Sequence, residues 1–166
     1  MLPNATEIKV GIAEYKAASS PYQIITLGLG SCVGVTLYDP YNKIGGLVHV
    51  MLPDSTQFQS VTNPAKFADL GVPVLFNEML KLGAKKTALQ VKMAGGAQMF
   101  QFNNSKSSNS LNIGQRNIEM SKEVIAKLGL KIVGEETGGN FGRTMILDTS
   151  TGKVFIRTIG SPLRTI

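Results

Sequence analysis

Apolar residues recur with a period of two near both ends of this chain and with a helical period in only two central stretches. That distribution excludes the regular strand–helix alternation of a doubly wound sheet. Ile8, Val10 and Ile12 alternate with polar or small neighbours over 7–16, which reads as one strand with a buried face. After the Ser19-Ser20-Pro21 break, Gln23-Ile24-Ile25-Thr26-Leu27 forms a second strand that runs into Gly28-Leu29-Gly30-Ser31-Cys32. Val33, Val35 and Leu37 alternate again up to the turn Asp39-Pro40-Tyr41-Asn42, and a third apolar run covers 44–51.

Residues 53–63 are polar and turn-forming, a surface loop ending where Asn63-Pro64 matches a helix N-cap and first helical position. The helix predicted from there to Leu82 places Phe67, Leu70, Val74, Met79 and Leu82 on related faces and stops at Gly83. Pro73 lies inside it and predicts a kink, or two short helices, near 71–73. A strand follows over 87–94, and the Ser/Asn-rich stretch 103–110 reads as a mobile loop. A second helix over 114–128 turns Ile118, Ile125 and Leu128 to the core, and strands over 130–135, 143–149 and 153–159 close the chain. The last two form a hairpin over Ser150-Thr151-Gly152. The expected fold is one α+β domain spanning 1–166.

The 166 residues are 43% hydrophobic and 17% charged. A chain of this mass buries roughly 69% of its unfolded surface, enough for a sizeable core, and its composition excludes intrinsic disorder. A single cysteine, Cys32, excludes an intramolecular disulfide and favours a reducing compartment. No basic segment precedes an apolar run at the N-terminus and no apolar stretch is long enough to span a bilayer, so the expectation is a cytoplasmic protein without membrane insertion. The net charge of +6 is diffuse: the longest basic run is Lys85-Lys86, with no interleaved aromatics. That pattern argues against nucleic-acid binding and suits acidic protein surfaces.

The segment Gly28-Leu29-Gly30-Ser31-Cys32 sets the thiol directly after two glycines at a strand end. It fails as a dinucleotide fingerprint, because the third glycine position is Val33, and Ser31 lacks the frame of a nucleophile elbow. The only histidine, His49, stands at the far end of the strand after the hairpin, so Cys32 and His49 meet at one end of the sheet. A thiol beside an imidazole is the pairing nucleophilic acyl transfer needs, and a histidine neighbour raises the thiolate fraction. Thr26 is a candidate to hold the ring, through its hydroxyl or its carbonyl, alongside any nearby Asn or Asp. The Cys32 N–H is the first choice of oxyanion donor, and Gly30, Ser31, Gly95 and Gly96 are candidates to bind the oxyanion or substrate. Against this stands the ordinary reading of a lone cysteine as a small core residue and of a histidine between valines as a satisfied core side chain. One cysteine and one histidine are too few for a metal site.

Five strings together resemble the chemoreceptor glutamine deamidases of the CheD family, with an order and spacing that cover roughly 8–158. They are Thr26-Leu27-Gly28-Leu29-Gly30-Ser31-Cys32, His49-Val50-Met51-Leu52-Pro53, Ala94-Gly95-Gly96-Ala97 with Met99-Phe100, Asn112-Ile113-Gly114 with Arg116-Asn117, and Thr137-Gly138-Gly139-Asn140. The resemblance implies a three-layer α/β/β sandwich with mixed sheets and two main helices, similar to the catalytic domain of cytotoxic necrotizing factor toxins. It implies a Cys-His-Thr site on Cys32, His49 and Thr26 that needs no cofactor. The implied reaction is hydrolysis of selected glutamine side chains to glutamate on methyl-accepting chemotaxis receptors, through a Cys32 thiolate and a thioester. It also implies a second partner, the CheC phosphatase that acts on phosphorylated CheY, and an alternative role as regulator of that phosphatase, with Phe102 as the candidate contact. The sequence departs from the family pattern at Glu136, where Asp is expected, at Pro73, and in the length of the 101–110 loop.

Overall fold

The computed structural model describes residues 6–100 and 112–166, so Phe102 and the 103–110 stretch lie outside the described residues. In chain order the elements are β1 (Thr6–Lys9), β2 (Tyr15–Ser19), β3 (Tyr22–Leu29), β4 (Val33–Asp39), β5 (Ile44–Val50), α1 (Ala68–Lys81), β6 (Gln90–Gly95), α2 (Ile113–Lys127), β7 (Lys131–Thr137), β8 (Arg143–Asp148), β9 (Val154–Arg157) and β10 (Arg164–Thr165). Two five-stranded sheets result, one in the order β1-β3-β8-β9-β10 and the other in the order β2-β5-β4-β6-β7. Both are mixed, because β1 runs parallel to β3 and β6 parallel to β7 while their other neighbours are antiparallel.

The alternation in β4 explains the layering. Val33, Val35 and Leu37 point with Val48, Val50, Val91 and Met93 toward Val72, Leu75 and Met79 of α1 and Ile118 and Ile125 of α2. From the opposite face Tyr38, Leu47 and Ala94 meet Ile24, Leu29, Met145, Leu147 and Ile156 of the first sheet. The β2-β5-β4-β6-β7 sheet is therefore the middle layer, and β4 and β5 are buried along their whole length. This is the α/β/β order that the resemblance implied.

Three expectations change. The strand predicted over 7–16 is two strands, because the chain turns at Gly11–Glu14, where Ala13 takes a φ of 62° and Gly11 N–H donates to Glu14 Oε2 at 2.8 Å. β1 joins one sheet and β2 the other, a change of sheet that a continuous alternation conceals. The first helix begins at Ala68, not Pro64: Asn63 instead caps a separate 3-10 turn, Pro64–Lys66, accepting from Ala65 N–H at 3.2 Å. Pro73 neither splits nor interrupts α1, although it removes the hydrogen bond to the Asp69 carbonyl. Among the described residues no helix is long and apolar enough to cross a membrane.

Candidate active site

The pairing of β3 with β8 slips by one residue between Thr26 and Leu29: three steps on β3 match two on β8, from Thr26 opposite Met145 to Leu29 opposite Arg143. Gly28 makes this bulge possible with its φ of +72°. The extra residue lets Thr26 and Leu29, three apart, both point into the space between the sheets, while Leu27 is turned out to solvent. The chain then bends through Gly30-Ser31-Cys32 and enters β4 in the other sheet. The glycine-rich segment is thus the link between the two sheets, and Thr26 stands across the interface from β5 rather than beside it.

His49 lies opposite Gly34 in the β4–β5 ladder, fully buried on the face that looks toward the first sheet. A Cβ at Gly34 would sit 2.8 Å from Met145 Sδ, so glycine leaves this part of the interface open for the imidazole's neighbours. Thr26 Oγ1 is 2.7 Å from His49 Nδ1 and also 2.7 Å from the Val10 carbonyl oxygen. The carbonyl can only accept, so the single hydroxyl proton goes to Val10. Thr26 Oγ1 must then accept from Nδ1–H, which fixes the tautomer and leaves Nε2 as a bare lone pair. Nε2 is buried and has no hydrogen-bond partner among the described residues. Burial disfavours the imidazolium and lowers its pKa to about 4.

Cys32 is half-buried at the other end of the same diagonal: it precedes Gly34 by two residues, so it lies on the His49 face, two residues along from the Gly34–His49 pair. Diagonal neighbours of this kind stand about 7–8 Å apart at Cα and are closer at their side chains. Its sulfur is not hydrogen-bonded to His49 Nε2. Burial pushes the thiol pKa up, while its own backbone N–H, which faces the sulfur, pulls it back. Burial thus favours the uncharged form of each group, thiol and imidazole alike.

The turn that carries the thiol is gripped at three consecutive carbonyls. Gly30 O accepts from Ala97 N–H at 2.8 Å, Ser31 O from Asn117 Nδ2 at 2.9 Å, and Cys32 O from Gly96 N–H at 2.8 Å. A Cβ on Gly95 would overlap the Cys32 carbonyl, and one on Gly96 would overlap Ile118 and crowd the Gly114 carbonyl. Gly95 and Gly96 are accordingly glycines because two backbones pass here in contact. The structure gathers all four of Gly30, Ser31, Gly95 and Gly96 around Cys32. The Gly96 N–H is spent on Cys32 O and the Gly30 N–H on Gly28 O, at 3.0 Å, so neither is free to hold an oxyanion. Among the described residues the Ser31 and Cys32 amides donate to no backbone carbonyl, and the Cys32 N–H faces its own sulfur. No three His, Cys, Asp or Glu side chains converge as metal ligands among the described residues.

Sequence reasoning passed over two participants. The Val10 carbonyl, which fixes the tautomer, leaves no trace in residue type. Asn117 did leave one: it is a polar residue on the helical face that carries Gly114, Ile118, Ser121 and Ile125, where apolar residues are expected.

Comparison with known proteins gives a consistent picture. Residues 51–158 match the model of the family described as CheD chemotactic sensory transduction. The chain is 60% identical over 160 residues to the "Probable chemoreceptor glutamine deamidase CheD" of Desulforamulus reducens, covering 96% of this chain and 95% of that protein. It is 56% identical over 154 residues to the protein of the same description from Clostridium botulinum strain Hall, covering 93% and 94% of the two. Among solved structures, the hypothetical protein YfiH of Bacillus licheniformis aligns with 74% of this chain and 49% of its own, at 11% identity and a TM-score of 0.46.

Proposed function

This chain belongs to the CheD family, and on that premise we propose that it is a protein-glutamine deamidase acting on the cytoplasmic part of chemotaxis receptors through Cys32, His49 and Thr26. The observation that carries the catalytic reading is the Thr26 hydroxyl between Val10 O and His49 Nδ1, because it leaves a buried imidazole with its basic nitrogen on the face that Cys32 shares.

Because the resting thiol is protonated, the nucleophile forms during attack. His49 Nε2 takes the Sγ proton as sulfur bonds to the glutamine Cδ and the carbonyl electron pair moves onto oxygen. The sulfur must first come within hydrogen-bond distance of Nε2, a tightening that catalytic groups of unliganded sites commonly undergo on substrate binding. The oxyanion is held by the Cys32 N–H, with Ser31 N–H beside it. As the C–N bond breaks, the imidazolium returns its proton to the leaving nitrogen, ammonia departs and a thioester remains. Nε2 then takes a proton from water, the hydroxide adds to the thioester carbonyl, the C–S bond breaks and the thiolate recovers the proton. Glutamate is released. The low pKa of His49 suits this cycle, since a neutral imidazole is the form that accepts the first proton.

The test is incubation of the wild type and Cys32→Ala with a purified receptor cytoplasmic fragment, followed by mass spectrometry for Gln-to-Glu conversion and an assay of released ammonia. Conversion by the wild type alone is expected. Equal conversion by Cys32→Ala, or none by either, would overturn the reading.

A further inference from the structure

We propose that Asn117 is a positioning residue that aims the Cys32 backbone N–H as the oxyanion donor; the inference rests on the reading of Cys32 as the nucleophile. Asn117 lies near the start of α2 and is fully buried. Its Nδ2 donates to Ser31 O at 2.9 Å and to Met51 O at 3.0 Å. Both acceptors are carbonyls, so only the NH2 end of the amide can face them, and Oδ1 is left buried without a hydrogen-bond partner among the described residues. The whole hydrogen-bonding effect of the side chain is thus directed at these two carbonyls.

The geometry of the peptide group turns that grip into a catalytic property. The Ser31 carbonyl and the Cys32 N–H belong to one trans peptide and point in opposite directions. Anchoring Ser31 O on Asn117 therefore directs the Cys32 N–H away from α2. A carbonyl that accepts a hydrogen bond also polarises its peptide and makes the N–H a stronger donor. The second bond reaches the carbonyl of Met51, two residues beyond His49, so the same amide ties the nucleophile turn to the strand that carries the base. α2 comes close enough for this because Gly114 packs against the carbonyls of Gly96 and Ala97, where a Cβ would overlap both.

Two reactions of Cys32 separate this role from a merely structural one. Turnover of a receptor cytoplasmic fragment builds an oxyanion, whereas alkylation by iodoacetamide displaces iodide at a saturated carbon and builds none. For Asn117→Ala, and for the nearly isosteric Asn117→Leu, kcat should fall about 10²- to 10³-fold with KM little changed. Alkylation of Cys32, the only thiol in the chain, should stay near the wild-type rate. Wild-type kcat in these variants overturns the proposal. So does a parallel fall in turnover and alkylation, or loss of the folded state in both variants, since either would show that Asn117 holds the turn itself. Cys32→Ala run alongside separates the premise from the inference: residual turnover there defeats the nucleophile, whereas an inactive Cys32→Ala beside a fully active Asn117→Ala defeats only the positioning role.

Discussion

Thr26 Oγ1 stands 2.7 Å from His49 Nδ1 although the two residues belong to different sheets. The contact spans the interface between the β layers and uses a hydroxyl whose proton is already committed to the Val10 carbonyl. The ring is thereby oriented by a neutral group. A carboxylate at this place would favour the imidazolium, whereas a hydroxyl leaves the desolvated histidine neutral.

Removing that hydroxyl should uncouple ring orientation from the rest of the site. Thr26→Ala leaves Nδ1–H and the Val10 carbonyl buried without partners and should cost about 1–3 kcal/mol of stability. Loss of tautomer control should lower kcat by about 10²-fold, the lower end of what a positioned general base contributes. Thr26→Ser keeps the hydroxyl and should retain most of the activity. Urea unfolding and steady-state ammonia release measure the two effects.

The histidine makes stability depend on acid. Its folded pKa, about 4, lies below its unfolded value, so between roughly pH 6.5 and pH 4 the unfolded chain binds a proton that the folded chain does not. The stabilisation is complete above pH 6.5 and is lost as the pH falls toward 4. At pH 4.5 this linkage should cost about 2–3 kcal/mol relative to pH 7, a loss absent from His49→Gln. Urea unfolding of both proteins at the two pH values isolates it, because the carboxylates titrate in both and cancel in the difference. Equal pH dependence in the two proteins would contradict the assignment.

Burial raises the Cys32 pKa above its ordinary value of 9.0. The rate of iodoacetamide alkylation in the folded protein should therefore reach its midpoint at a higher pH than for the same thiol in the urea-unfolded chain. A midpoint below neutrality would instead reveal a resting thiolate–imidazolium pair and a different first step.

Glycines in and around the turn that carries Cys32 should divide by cause. A Cβ at Gly28 meets nothing within 4 Å, so Gly28→Ala suffers only from its positive φ and should lose about 1–2 kcal/mol. Gly95→Ala combines a positive φ with overlap of the Cys32 carbonyl and should lose more than about 3 kcal/mol, together with turnover. Denaturation midpoints and ammonia release for the two variants test the ranking.

Much of the architecture was legible from periodicity. The β4–β5 hairpin, the two helices and the closing strands follow from alternation, helical spacing and turn residues, each of which is a local property of the chain. The break at Gly11–Glu14 was not legible, because the apolar alternation runs on through it and the change of sheet depends on which edges are available for pairing. The short strand β10 was equally hidden, since two residues carry no period.

The site divides in the same way. Sequence alone supplied the candidates: one thiol, one imidazole, a threonine and the glycine turns, with an order and spacing that resemble the CheD family. It also placed Cys32 and His49 at one end of the β4–β5 hairpin, because a hairpin fixes its own register. Tertiary structure decided that Thr26 reaches the ring across the interface, that Nε2 is the free nitrogen, and that burial favours the uncharged forms of thiol and imidazole. It also decided that Gly96 N–H and Asn117 Nδ2 both donate to carbonyls of the turn. The physical reason is that residue type specifies which groups can donate, accept or ionise, whereas tautomer, desolvation and the direction of a peptide N–H depend on atoms brought close by segments far apart in the chain.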